Sequence, residues 1–313
     1  MRKVGVATIS YRNSAKEINA GPEAILKIWE ILLERAAYDR PDIILLPEYF
    51  ALTGTQYKLE EVAEALDGAQ AGPVTQFLAA KARRYKCYIY AGYPRRAAVP
   101  GRYHNSAVLF DRQGRVVSVY DKTSPTVEEM ERGILPGRGA VTFETDFGRV
   151  GASICFDFNF RELFPEYRRQ KTELLCFLSA LPGGFLVPAM AYETQMFIAS
   201  AICEHHKGQI VNPLGRIVKN GYAEGINIFT EINLDCQMLH IDFNYHKMPA
   251  LKAKYKNLAQ LDIARDEGVY LLSSLHPKVS VDQMIQEYEL ETLDDYFQRS
   301  RRKRDQALAR KKR

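Results

Sequence analysis

The chain has 313 residues, 46% of them hydrophobic and 26% charged, and a formal net charge of +5 at pH 7. This balance is that of a globular protein, and it excludes a disordered, a collagen-like or a disulfide-stapled chain. No apolar run approaches the roughly 20 residues that span a bilayer. The apolar stretch after the basic N-terminus, residues 4–9, is too short for a signal peptide. We therefore expect a cytoplasmic protein.

The positive charge is concentrated at the C-terminus. Nine basic residues and one acidic residue lie from Arg299 onward, so the rest of the chain is mildly acidic. No aromatic residue is interleaved within this basic tail, which argues against a nucleic-acid partner. We expect a small-molecule substrate instead, and no membrane partner.

Strands and helices alternate through most of the sequence. Short apolar runs predict strands, and apolar residues at i, i+3, i+4 spacing predict helices. The predicted strands, in chain order, are residues 3–9, 43–46, 87–92, 105–111, 115–120, 150–154, 174–178, two short strands around the Leu214-Gly215 turn, and 226–234. The predicted helices are residues 22–37, 75–84, 159–169, 189–199 and 281 to about 304.

This order of elements predicts an α/β layered fold with a mixed sheet or two stacked sheets. No change of composition and no Ser/Gly-rich linker divides residues 1–272, so we predict that they form one domain. Residues 273–313 are then a C-terminal extension, made of a polar helix and the basic tail.

Three residues with reactive side chains stand at the ends of predicted strands, where layered α/β folds place catalytic groups. Glu48 follows an apolar strand, Lys122 ends a hairpin, and Cys155 lies between a strand and a predicted helix. Each alone also fits a structural role, as an end cap, a solvated lysine or a buried thiol. Together they supply a base, a cation and a nucleophile, which covalent catalysis requires.

Cys155 needs surroundings that favour its charged form, because a free cysteine is only a few per cent thiolate near pH 7. The cation of Lys122 and the helix predicted to start after Cys155 would both favour the thiolate. We therefore expect a site that stabilises the charged sulfur.

The motifs around these residues resemble the Glu-Lys-Cys signature of the nitrilase, or carbon–nitrogen hydrolase, superfamily. They are Leu46-Pro47-Glu48, Tyr120-Asp121-Lys122 and Gly151-Ala152-Ser153-Ile154-Cys155-Phe156-Asp157, supported in the same order by Asn105-Ser106-Ala107, Gly133-Ile134-Leu135-Pro136-Gly137 and Ser179-Ala180-Leu181-Pro182-Gly183-Gly184. The resemblance covers roughly residues 1–240. It implies a four-layer α-β-β-α sandwich, a homodimer or higher homo-oligomer, and hydrolysis of non-peptide C–N bonds without a cofactor or a metal.

The resemblance also implies a role for each residue. Cys155 would be the nucleophile, Glu48 the general base and Lys122 the cation beside the tetrahedral intermediate. The backbone N–H of Phe156 would share the oxyanion with Lys122. Phe156-Asp157 after the cysteine is nearer the amidase branch, so the resemblance favours hydrolysis of a small amide or N-carbamyl amine through a thioester.

A second glutamate of the family lies between the lysine and the cysteine. Glu129 matches it best by its distance to Pro136-Gly137, and Glu128 and Glu131 are close enough to leave the register open. It would hydrogen-bond Lys122 or the substrate and keep the pocket aligned.

The substrate pocket is less defined by the sequence. Tyr49, Phe156, Phe158 and Phe160 are aromatic candidates to line it. Asn159 stands where amidase-like members commonly have an arginine, so recognition of a substrate carboxylate at this position is in doubt.

Two other functions stay open. One is nitrile hydrolysis on the same three residues, and the other is a non-catalytic binding or assembly protein that uses the C-terminal helix and tail. A metal hydrolase built on His240 and Asp242, with His246 nearby, lacks a third ligand at a convincing spacing.

Overall fold

The predicted strands form two six-stranded sheets in a computed structural model that describes residues 1–66 and 70–310. In spatial order, the first sheet contains β12 (Asn227–Asn233), β1 (Lys3–Ile9), β2 (Ile43–Leu45), β3 (Tyr88–Arg96), β4 (Tyr103–Phe110) and β5 (Val116–Asp121). The second contains β11 (Ile217–Asn220), β10 (Gln209–Val211), β9 (Phe197–Ile202), β8 (Leu174–Ser179), β7 (Arg149–Ile154) and β6 (Thr142–Glu144).

The central strands of both sheets are parallel and apolar. β1, β2 and β3 are parallel, with Val6 opposite Ile43 and Ile43 opposite Tyr88. β7, β8 and β9 are parallel as well, whereas β3, β4 and β5 form an antiparallel meander. Every residue of β2, β8 and β9 is buried. Strands that are apolar on both faces need a covering layer on each side.

The two sheets pack on each other and carry helices on their outer faces. β2 lies against β9, β3 against β8 and β4 against β7. Trp29 and Leu33 of one helix and Leu78 of another belong to the core cluster over the first sheet. Two further helices cover the second sheet, where Tyr167 packs on Gly151 of β7. The predicted α-β-β-α sandwich is therefore confirmed.

The helices of these outer layers begin and end near their predicted positions. Pro22 is the first residue of its helix, where the missing N–H of proline costs nothing. In this part of the chain the helices are α1 (Ala15–Ala20), α2 (Pro22–Ala37), α3 (Leu59–Val62), α4 (Pro73–Tyr85), α5 (Val127–Glu131), α6 (Phe164–Arg169), α7 (Leu186–Thr194) and α8 (Gly221–Glu224).

Two predicted helices differ from the observed ones. The helix over residues 159–169 is an α-helix only from Phe164, because short 3-10 turns occupy Cys155–Asn159 and Arg161–Leu163. The helix over residues 189–199 begins earlier and ends at Thr194, where Gln195 has a left-handed backbone with φ of 55°. Residues 197–199 belong to β9. The prediction placed them in the helix because a continuous apolar run has no periodicity that distinguishes a buried helix from a buried strand.

The chain divides into two compact units, residues 4–232 and residues 1–3 together with 233 onward. The second unit has a sheet of its own, in the order β13 (Cys236–His240), β15 (Val269–Ser274) and β14 (Ala259–Ala264), and the helices α9 (Met248–Tyr255), α10 (Val281–Glu287) and α11 (Leu293–Arg310). Its core includes Leu239, Leu272 and Met284. The boundary that we predicted after residue 272 falls inside β15, a strand that pairs with β13 and β14 in the sheet of the second unit. As a domain assignment it stays a prediction.

The predicted C-terminal helix is two helices. α10 ends before Tyr288, Glu289 has a φ of +49°, and α11 starts at Leu293. Residues 301–309 of α11 are exposed on every side, as expected for a charged extension. Lys311, Lys312 and Arg313 of the predicted tail lie outside the described residues. None of the described helices has both the length and the apolar composition to cross a lipid bilayer.

Candidate active site

Glu48, Lys122 and Cys155 lie at the carboxyl ends of strands, as the sequence predicts. Lys122 directly follows β5, Cys155 directly follows β7, and Glu48 comes shortly after β2. β2 and β5 run in the same direction within the first sheet, so their carboxyl ends lie at one edge. This edge is where open α/β sheets bind ligands.

The carboxylate of Glu48 is buried and is held by groups from both sheets. Its Oε1 accepts hydrogen bonds from Lys122 Nζ at 2.9 Å and from Asn105 Nδ2 at 2.7 Å. Its Oε2 accepts from the backbone N–H of Ala180, after β8, at 2.9 Å. The thiol of Cys203, after β9, donates to the backbone oxygen of Glu48 at 2.7 Å. The carboxylate therefore has one fixed orientation across the gap between the sheets.

The backbone of Glu48 is packed closely against β3. A Cβ atom at Gly92 of that strand would lie 2.7 Å from Glu48 Cα and 2.8 Å from the oxygen of Pro47. Only glycine leaves room for this approach. The position of Glu48 therefore depends on Gly92 as well as on its own hydrogen bonds.

Lys122 joins Glu48 to a second carboxylate, that of Glu129. The lysine is 1% exposed, and its ammonium group donates to Glu129 Oε2 at 2.8 Å. Glu129 lies in the first turn of α5, where it forms a capping box with Thr126. Glu128 and Glu131 are exposed. Of the three glutamates that the sequence leaves open, the structure places Glu129 on the lysine.

The three charges perturb each other. Burial alone would lower the pKa of Lys122, but the charges of Glu48 and Glu129 outweigh burial and raise this pKa well above its ordinary value. Burial alone would raise the pKa of Glu129, but the charge and hydrogen bond of Lys122 outweigh it and hold this pKa below the usual range. Lys122 is therefore charged and Glu129 ionised near neutral pH.

Cys155 is a partly exposed residue at the start of a 3-10 turn, with a left-handed backbone φ of +43°. Burial, and then the charge of Glu48, raise the pKa of its thiol to about 11 against the opposing charge of Lys122 and hydrogen bonds of Ser179 and Ala180. Our expectation that the surroundings favour the thiolate is therefore wrong. No α-helix starts at Cys155, and the negative charge of Glu48 outweighs the cation.

Asp157 fixes the turn that begins with the cysteine. Its carboxylate is fully buried, and its Oδ2 accepts from the backbone N–H of Ile154 at 2.8 Å and from the hydroxyl of Tyr120 at 2.7 Å. Its Oδ1 accepts from the backbone N–H of Ser124 at 2.9 Å. Burial raises the pKa of Asp157 to about 6 despite these donors. One side chain thus joins the end of β7 to the segment that follows Lys122.

The predicted substrate residues differ in how close they lie to this cluster. The hydroxyl of Tyr49 donates to Glu129 Oε1 at 3.4 Å, and burial and then Glu129 raise the pKa of Tyr49 well above its usual value. The side chain of Phe156 is 37% exposed. Asn159 is exposed and donates to the backbone oxygen of Phe156 at 3.2 Å, within its own turn.

One predicted aromatic residue is a core residue. Phe158 is buried between Phe164 and Phe177, with a ring distance of 4.0 Å to Phe177, so it does not line the pocket. Tyr57, which the sequence analysis missed, lies beside the cluster instead. Its ring is 6.3 Å from that of Tyr49, and its pKa, raised mainly by burial, also responds to the charges of both glutamates. No motif contains Tyr57, so the sequence carried no signal for it.

The described residues contain no group of three His, Cys, Asp or Glu side chains that could hold a metal ion. His240 stacks on Tyr296 at 4.0 Å, and its Nδ1 accepts from the backbone N–H of Asp242.

Residues 4–234 match the family model described as carbon-nitrogen hydrolase. Among curated proteins, the chain is similar to the chloroplastic omega-amidase of Arabidopsis thaliana, 27% identical over 231 residues that cover 64% of this chain and 61% of the relative. It is also similar to the omega-amidase NIT2 of Homo sapiens, 26% identical over 233 residues that cover 64% of this chain and 80% of the relative.

Solved structures share the fold. Nit3 of Saccharomyces cerevisiae, a member of branch 10 of the nitrilase superfamily, has a TM-score of 0.63 at 20% identity, over 74% of this chain and 90% of that one. An amidase from Nesterenkonia sp. has a TM-score of 0.62 at 19% identity, over 73% of this chain and 90% of that one. The resemblance inferred from the three motifs is confirmed: the chain belongs to the carbon–nitrogen hydrolase family and is an enzyme of the nitrilase superfamily.

Proposed function

We propose that the protein hydrolyses a small amide or N-carbamyl amine through a thioester on Cys155, with Glu48 as the general base. One observation carries this proposal. The carboxylate of Glu48 is buried, is fixed by Lys122 and Ala180, and acts electrostatically on a thiol that is protonated at neutral pH. A protonated nucleophile beside an oriented carboxylate is the arrangement of general-base catalysis. The relatives named omega-amidase and amidase support an amide over other C–N bonds.

The first half of the reaction forms the thioester. Sγ of Cys155 attacks the carbonyl carbon while its proton moves to Glu48, since the thiol does not ionise by itself near pH 7. An ammonium group has three donors. Two of those on Lys122 are used by Glu48 and Glu129, and the third, with the backbone N–H of Phe156, would bind the oxyanion. When the C–N bond breaks, Glu48 returns the proton to the leaving nitrogen.

The second half releases the acid. A water molecule gives a proton to Glu48 and attacks the thioester carbon. The carbon–sulfur bond then breaks, and the proton on Glu48 returns to the thiolate of Cys155. Glu129 keeps its charge through both halves because its pKa is low, so Lys122 stays paired and oriented.

The test is acid quench and intact-mass spectrometry after mixing with a panel of small amides, N-carbamyl amines and nitriles, with ammonia release followed in parallel. We expect an acyl adduct on Cys155 and ammonia from at least one amide or N-carbamyl amine. Cys155→Ala should lose both. Cys236→Ala, which removes the other partly exposed cysteine, should retain both. Turnover that persists in Cys155→Ala would contradict the proposed mechanism.

The same panel distinguishes nitrile hydrolysis on this site. Attack of Cys155 on a nitrile gives a thioimidate, which loses ammonia to water and becomes the same thioester. Turnover of nitriles with no turnover of amides would replace the proposed substrate class and leave the roles of the three residues unchanged.

Removal of the exposed end of α11 tests the non-catalytic alternative. Arg299 pairs with Glu291 at 2.6 Å through both Nε and Nη2 and stacks on Phe243, so it is part of the C-terminal unit. Residues 301–309 are exposed. We expect a chain ending at Ser300 to keep kcat and KM within about twofold and to melt within about 2 °C of the full chain, because exposed residues away from such contacts change stability little. A loss of binding to a cellular partner, with no turnover in either chain, would favour an assembly role.

A homodimer or higher homo-oligomer and a cytoplasmic location also stay predictions. Sedimentation equilibrium over a range of protein concentrations would give the number of subunits. None of the five cysteines, all of which lie in the described part of the chain, forms a disulfide, which is compatible with a reducing compartment.

A further inference from the structure

We propose that Asn105 is a positioning residue for this reaction, which bridges the carboxylates of Glu48 and Glu129 and leaves one N–H of Lys122 available to the substrate. The inference rests on the proposed function of the cluster. It assigns a role to a side chain that does not itself react.

Asn105 forms hydrogen bonds with all three charged residues of the cluster. The residue lies on β4 and is fully buried. Its Nδ2 donates to Glu48 Oε1 and to Glu129 Oε1, each at 2.7 Å. Its backbone oxygen accepts from the backbone N–H of Lys122 at 2.8 Å. One residue thus contacts both carboxylates and the backbone of the lysine that lies between them.

The oxygen of the same amide has no donor among the described residues. Asn105 Oδ1 is buried, and none of the described groups donates to it. Turning the amide over would place this oxygen against two carboxylates, so the observed orientation is the only one that forms hydrogen bonds here. A buried acceptor without a donor costs free energy. An apolar side chain would fill the same space without this free-energy cost, so we infer that the hydrogen bonds of Nδ2 are the reason for an asparagine here.

The charge balance explains why a neutral double donor suits this position. The cluster holds two carboxylates and one ammonium group, so negative charge is in excess. Without Asn105 the two carboxylates would repel each other and compete for the protons of Lys122. An aspartate would add a third negative charge. The amide supplies two donors and no charge, so each carboxylate needs only one N–H of the lysine.

The experiment compares Asn105→Ala and Asn105→Ser with Asn244→Ala in the full chain. Asn244 is also fully buried, and its Nδ2 donates to two backbone oxygens in the C-terminal unit at 2.8 and 2.9 Å. The control therefore removes a similar set of buried hydrogen bonds outside the cluster. Circular dichroism and melting curves identify the variants that fold, and Asn105→Ser is the test if Asn105→Ala does not.

We expect Asn105→Ala to lower kcat by about 10- to 100-fold with KM changed less than about threefold, because the loss is one of transition-state geometry. Asn105→Ser, which keeps one donor, should lie between Asn105→Ala and the unaltered protein. The acid limb of the kcat profile should move to higher pH, since Glu129 loses a hydrogen bond from Asn105 that helps to hold its pKa low. Asn244→Ala should melt earlier and keep kcat and its pH profile.

A kcat within twofold of the unaltered protein, or an equal loss at every pH, would overturn the positioning role. Failure of the proposed function looks different. In that case the unaltered protein itself would show no hydrolysis that depends on Cys155, whatever residue stands at position 105.

Discussion

Replacement of Lys122 by methionine should lower kcat/KM by about 10³-fold or more and the free energy of unfolding by about 3–5 kcal/mol. The ammonium group is fully buried between Glu48 and Glu129. Methionine has a similar length and leaves two carboxylates side by side without a cation. Removal of one member of a buried ion pair is costly because the charge left behind is neither solvated nor paired. The oxyanion would also lose its charged donor.

Lys81→Met is the matched control. Lys81 of α4 pairs with Glu30 of α2, whose side chain is 42% exposed. Both residues lie on outer helices, and neither belongs to the cluster. An exposed partner is solvated when it loses its cation, so we expect a loss of less than about 1 kcal/mol and normal turnover. Urea unfolding curves and initial rates measure both variants. If Lys122→Met were as stable and as active as Lys81→Met, the central role of the lysine would be refuted.

Glu48→Gln should change the reactivity of Cys155 and the turnover in opposite directions. Loss of the base should lower kcat by about 10²- to 10⁴-fold. The negative charge of Glu48 is also, after burial, the main reason why the pKa of the Cys155 thiol is raised to about 11. Without that charge the pKa falls, so a larger fraction of the sulfur is thiolate at pH 8 to 9. The variant should therefore react faster with a neutral disulfide while it hydrolyses more slowly.

The measurement follows reaction with 4,4′-dithiodipyridine between pH 7 and 10.5 in a Cys236→Ser background. Among the described cysteines, this background leaves Cys155 as the one that is not buried. In the parent the rate should rise with pH and not level off below about pH 10.5, because the thiol titrates with a pKa of about 11. In Glu48→Gln the curve should be displaced to lower pH. A parallel decrease in thiol reaction and turnover would show that Glu48 does not oppose ionisation of the sulfur.

The positions of the reactive groups could be predicted from the sequence because each follows a strand that is recognisable by its apolar run. Glu48, Lys122 and Cys155 lie at strand ends, and the motifs around them carry the family. Their partners could not be predicted in the same way. Ala180 and Cys203 contact Glu48 across 132 and 155 residues of sequence, and only the packing of one sheet on the other brings them there.

The charge state of Cys155 shows a second limit. A cation and a helix start are visible in the sequence, whereas burial and the distance to a neighbouring carboxylate are not. The sign of the pKa shift depends on which of these effects is larger, so sequence reasoning gave the wrong direction. The boundary errors at α7 and between α10 and α11 have a different cause. A residue with a left-handed backbone ends α7, and another separates α10 from α11. These residues are Gln195 and Glu289, whereas a left-handed backbone is predictable from sequence mainly at glycine or asparagine.

The hydrogen bond from Ala180 to Glu48 has a consequence for how the enzyme gains its activity during folding. The bond joins the first sheet to the second across 132 residues of sequence, and closing such a long loop costs more entropy than forming a local contact. Individual helices and hairpins are able to form before this contact exists, but the base has no fixed orientation until the two layers have met. A refolding chain should therefore recover its circular dichroism signal before its turnover. The return of catalysis then reports the packing of the two sheets on each other.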